Sequence, residues 1–176
     1  RERMICIRYS YRSADRAGIL QALDSAHLAQ SNWEQLGHSQ RADLLDKVAL
    51  CMEQDCAEMM SILAREAGRT LNDGLSEVRE AIDFCRYYAL QARKLDEAQE
   101  EEYQGRGVFL CISPLNFPLA IFTGQIAAAL ATGNSVIAKP AMQTPIISIY
   151  SVKLFHRSGV PGTVLPLLLG SGSKIG

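Results

Sequence analysis

Two apolar runs, each halted at a proline turn that carries one polar side chain, constrain this chain more than any other feature. The first stops in Cys111-Ile-Ser-Pro-Leu-Asn-Phe-Pro118, the second in Gly133-Asn-Ser-Val-Ile-Ala-Lys-Pro140. A single apolar helical stretch separates them. Strand, helix and strand in short succession build a parallel sheet with right-handed crossovers, and ligands of such sheets sit beyond the carboxyl ends of the strands.

The rest of the α/β reading follows from periodicity. Val108 to Ile112 reads as a strand buried on both faces. Pro118 opens a helix that runs to Thr132, since its missing N–H is no loss there. Ser135 to Ala138 is a second strand, Thr144 to Ser158 a second helix, and Val164 to Leu169 a third strand with Pro166 set awkwardly inside it. The expected order is β-α-β-α-β, the first part of a Rossmann-like sheet over residues 104–176.

Residues 1–103 have a different composition, rich in good helix formers. Ser13 is a candidate cap for one helix and Ser39 for the next, whose apolar positions recur from Leu44 to Leu63 before Gly68 ends the pattern. A third helix carries Leu75, Val78, Ile82, Cys85 and Ala89 on one face. Its charges, Glu77 among them, are expected on the others. The acidic run Glu97 to Glu102 reads as a solvated end. No linker separates the two segments.

Charge narrows the function. With 18 basic and 19 acidic side chains, a net charge of -1 supplies no field that would recruit nucleic acid or anionic lipid. No apolar segment is long enough to span a bilayer. Cys6, Cys51, Cys56, Cys85 and Cys111 lack metal-ligand spacing and read as reduced thiols of a cytoplasmic protein. The absence of an initiator Met and the glycine-rich finish at Gly176 lead us to expect a piece of a longer protein.

Each chemical candidate has a plainer alternative. Asn116 is either a helix cap or an amide able to meet an oxyanion at a helix start. Lys139 is either a snorkelling lysine at a strand end or a donor to nucleotide oxygens. Gly170 to Gly176 resembles a phosphate-cradling turn but departs from the dinucleotide spacing. Cys111 lies in a strand with no activating neighbour, so it reads as an inert core thiol. His27, His38 and His156 share no motif, and no metal site can be drawn.

Taken together, Ser113-Pro-Leu-Asn-Phe-Pro118, Gly133 to Pro140, Gln143-Thr-Pro145 and Gly159-Val-Pro-Gly162 resemble the NAD(P)-dependent aldehyde dehydrogenase superfamily. Trp33, Arg41, Glu66-Ala-Gly-Arg69 and Glu77 to Phe84 are similar to its amino-terminal helices. The wording around Gly105 to Pro114 is most like the L-glutamate γ-semialdehyde (pyrroline-5-carboxylate) dehydrogenases, including the module within bifunctional proline utilization A proteins.

The resemblance implies a cysteine thiolate that attacks an aldehyde, an asparagine amide that holds the oxyanion, and hydride transfer to NAD. It assigns Asn116 to that amide and Phe117 to the aldehyde channel. Ile112, Ser113, Pro114, Leu115, Lys139, Ala141, Met142, Gly172 and Gly176 are assigned to the cofactor. Leu115 replaces the usual Trp, and Met142 replaces a ribose-binding Glu, which leaves NADP possible. FAD is implied only if the parent also carries a proline dehydrogenase domain. A homo-oligomeric parent is implied as well. The family's nucleophile and general base are expected beyond Gly176, leaving this segment inactive alone.

Overall fold

The computed structural model describes residues 13–97 and 103–175. Cys6, Gly176 and most of the acidic run 97–102 therefore lie outside the described residues.

Four helices come first: α1 (Arg16–Gln35), α2 (Gly37–Gln54), α3 (Cys56–Ala67) and α4 (Leu71–Glu97). The α/β part follows as β1 (Val108–Ile112), α5 (Ala120–Ala131), β2 (Ser135–Lys139), α6 (Pro145–Arg157) and the single turn α7 (Gly172–Ile175). β1 and β2 are parallel, with Val108 opposite Ser135 and Ile112 opposite Lys139. One contiguous core joins α1, α2, α3 and α4 to α5, α6 and β2, with Trp33, Leu45, Met52, Leu63, Phe122 and Phe155 all buried in it.

Several local expectations need correction. Asp15, not Ser13, caps α1, its Oδ1 accepting the Gly18 N–H at 2.8 Å. Ser39 lies inside α2, and its backbone N–H is held by Asp96 across on α4. The apolar pattern expected as one helix is broken at Asp55 into α2 and α3, a break that periodicity alone does not register. Gly68 does end it, with φ +66 in the left-handed region glycine favours. The first regular residue of α5 is Ala120 rather than Pro118, although the Ile121 N–H already bonds the Phe117 carbonyl.

The third strand does not form as one. Pro166 cannot donate to a ladder, so residues 164–168 meet β2 irregularly. Val136 and Ala138 donate to the Val164 and Pro166 carbonyls, Leu168 N–H returns to Ala138 O at 2.9 Å, and Leu167 alone forms a bridge. β1 also differs from expectation: Phe109, Leu110 and Ile112 are 44–46% exposed and only Cys111 is buried. With β2 on one side and no strand on the other among the described residues, its apolar run is not enclosed.

Candidate functional site

The sheet's carboxyl edge brings the two proline turns together. Ser113 N–H donates to the Lys139 carbonyl at 3.0 Å, so the Ser113-Pro114 and Lys139-Pro140 turns leave the sheet side by side. Ser113 Oγ is buried and donates to Gln125 Oε1 at 2.9 Å, fixing the first turn to α5.

Beyond that anchor Leu115, Asn116 and Phe117 are exposed. The Asn116 amide makes no hydrogen bond to any described residue, and α5 carries no side-chain cap from its own chain neighbours. The capping alternative for Asn116 therefore fails. The cap comes from α4 instead: the Leu119 N–H donates to Glu77 Oε1 at 2.8 Å. Glu77, expected on a solvated face, is 1% exposed. Arg69 Nε lies 3.2 Å from its other oxygen, close enough for charge attraction but not aligned as a hydrogen bond. The same guanidinium sits 5.0 Å over the Phe117 ring. Burial pushes the Glu77 carboxyl upward, against the Leu119 N–H and Arg69, which favour its charged form.

A second carboxylate repeats the device. Glu66, at the end of α3, accepts the Ile146 and Ile147 N–H groups of α6 at 2.7 and 2.9 Å, and burial likewise raises its pKa. At the far end of α5, Trp33 Nε1 donates to Leu130 O, Arg41 Nε to Ala131 O, and Gln30 to Gly133 O. Acidic groups thus sit at helix N-termini and a buried cation at a C-terminus, the polarity the helix dipole favours. Sequence pattern does not reveal these roles, because each helix end is more than forty residues from the side chain that meets it.

Lys139 is only 6% exposed, yet Nζ has one partner, the Pro140 carbonyl at 3.1 Å. No carboxylate pairs with it among the described residues, so two of its three N–H donors are uncommitted. Ala141 is half-buried and Met142 exposed beside it. In the glycine turn, a Cβ on Gly170 would come within 2.8 Å of the Ile175 side-chain end, which would have to shift. A Cβ on Gly172 would meet nothing within 4 Å. The uncommitted Lys139 ammonium donors are able to meet a polyhydroxyl or phosphate-bearing group.

Cys111 and Cys85 are poor nucleophiles. Burial pushes Cys111 up to about 11 and Cys85 to about 12. No group of three His, Cys, Asp or Glu residues among those described is placed to hold a metal, and no described helix is long and apolar enough to cross a membrane.

Residues 7–176 match the model of the aldehyde dehydrogenase family. The chain belongs to that family.

It is 48% identical over 165 residues to the bifunctional protein PutA of Klebsiella aerogenes, covering 94% of this chain and 12% of PutA. It is 34% identical to the 1-pyrroline-5-carboxylate dehydrogenase of Bacillus subtilis, covering 93% of this chain and 34% of that enzyme. Among solved structures, Bradyrhizobium japonicum proline utilization A superposes with a TM-score of 0.87 at 43% identity, over 93% of this chain and 18% of the other. The Thermus 1-pyrroline-5-carboxylate dehydrogenase with bound NAD gives 0.87 at 34% identity, over 93% and 34%. This family member thus spans between 12% and 34% of the length of these relatives.

Proposed function

We propose that this chain supplies the oxyanion donor and part of the cofactor site of an NAD-dependent dehydrogenase that oxidises L-glutamate γ-semialdehyde to L-glutamate. The observation that carries the reading is the uncommitted Asn116 amide, exposed beyond the end of β1 with its capping duty taken by Glu77. An amide left free in this way can donate to the negative charge that builds on an aldehyde oxygen under attack, and such donors act most strongly when they need no reorganisation.

Lys139 and Gly172 would hold the cofactor, the ammonium donating to ribose or phosphate oxygens and the glycine letting them approach the backbone. Ser113, Pro114 and Leu115 would flank it at the end of β1, with Ala141 and Met142 beside the ribose. Bound there, NAD supplies a hydride acceptor. Met142 offers no carboxylate to ribose hydroxyls, so use of NADP alongside NAD is compatible with this edge. Phe117 would face the aldehyde. The high pKa of Cys111 and Cys85 argues against either as the attacking thiol. Similarity to both PutA and 1-pyrroline-5-carboxylate dehydrogenases supports the choice of substrate.

The test is a steady-state assay of the complete gene product with glutamate semialdehyde, succinate semialdehyde and short unbranched aldehydes, each with NAD and NADP. Preferred reduction of NAD with glutamate semialdehyde is expected. No reduced nucleotide with any aldehyde would sink the proposal.

A further inference from the structure

We infer that Arg69 and Glu77 are positioning residues that hold the 114–118 loop, and with it Asn116, in place for the reaction; the inference rests on the oxyanion role proposed above. The loop has one anchor at each end. Ser113 is fixed to the Lys139 carbonyl and to Gln125, and Leu119 is fixed to Glu77. Between them, Asn116 makes no bond to any described residue. The Asn116 side chain is placed instead through its neighbour, Phe117, whose ring lies under the Arg69 guanidinium.

Arg69 and Glu77 come from α4 and the turn before it, outside the α/β unit they brace. Each needs the other. Glu77 is 1% exposed, and an unpaired carboxylate so buried is costly. Arg69, 24% exposed in its side chain, neutralises it and presents its flat face to the ring. Neutralisation also matters to the chemistry, because a bare carboxylate beside the loop would oppose a developing oxyanion. Arg69 thus serves fold and site at once.

The experiment uses the complete gene product, selectively ¹⁵N-labelled, and its variants Arg69→Gln and Arg69→Lys, with Arg86→Gln, on α4 as Glu77 is, as a control that breaks an exposed pair with Glu53 of α2. In the wild type and in R86Q the backbone of residues 115–117 should be ordered, with order parameters around 0.85; in R69Q it should fall below about 0.6 while β1 and β2 are unchanged. R69K, which keeps the charge but loses the planar stack, should lie between. In the complete gene product, R69Q should lower kcat by about tenfold with KM for the aldehyde changed by less than about twofold, since misplacement costs the chemical step rather than binding. Unchanged loop order in R69Q overturns the brace. A loosened loop with wild-type kcat overturns its catalytic purpose. If Asn116→Ala itself keeps full kcat, the oxyanion role fails, and loop order alone then decides whether the brace exists.

Discussion

The helical layer and the sheet edge treat their polar groups in opposite ways. In the layer, Arg41, Trp33, Glu66 and Glu77 are buried or half-buried and bonded to the ends of α5 and α6. At the edge, Asn116 has no partner among the described residues and Lys139 has a single carbonyl. A chain selected only for stability would satisfy or delete a group such as Lys139, because a buried donor left under-satisfied is costly; the exposed Asn116 carries no such cost. The contrast separates residues that keep this fold from residues proposed to keep its function.

Breaking the layer should be expensive. Arg41 serves the Ala131, Trp33 and Glu34 carbonyls at once, so Arg41→Met should destabilise by about 3–4 kcal/mol, measured by urea unfolding. Glu66→Ala removes both acceptors at the start of α6 and should cost about 1–2 kcal/mol in the same measurement, with Glu66→Gln recovering part of it. Titration adds a sign. Burial raises the Glu66 and Glu77 pKa values above the ordinary glutamate value of 4.5, so the native state holds protons that the unfolded chain releases. The stability that this contributes is complete below that value and is lost as pH rises through the raised pKa. Wild type should therefore weaken over that window, and Glu66→Gln should flatten the slope; an unchanged slope would exclude Glu66 as its source.

Changes at the edge should spare the fold. Lys139→Met replaces an under-satisfied buried ammonium by an apolar chain of similar length, so the urea midpoint should stay level or rise, with a change within about 1 kcal/mol. NAD affinity of the complete gene product, followed by calorimetry, should drop by about tenfold or more. Equal affinity would remove Lys139 from the cofactor site. The smallest effect belongs to β1: Leu110→Thr, at a half-exposed position, should shift stability by about 0.5 kcal/mol or less, whereas Val136→Thr in fully buried β2 should cost more.

How much of this was legible follows the same division. β1, α5, β2 and α6 were readable because apolar runs end at Gly or Pro, a local signal. The two edge turns were readable for the same reason. The Asp55 break lacked such a mark, and the third strand failed because Pro166 removes a ladder donor that only pairing reveals. β1 looked doubly buried because an apolar run cannot say how many neighbours a strand has. Glu77 looked solvated because its charge and spacing matched a helix surface; its partner, the Leu119 N–H, is 42 residues away. Local pattern located the two proline turns, while the carboxylate that caps the start of α5 came from long-range pairing.

One paired measurement bears most directly on that separation: the urea midpoint of Asn116→Ala together with its kcat for glutamate semialdehyde oxidation in the complete gene product. Asn116→Ala is expected to keep an unfolding free energy within about 0.5 kcal/mol of wild type and to lower kcat by about 10²–10³-fold. A large loss of stability, or a kcat near wild type, would contradict that separation.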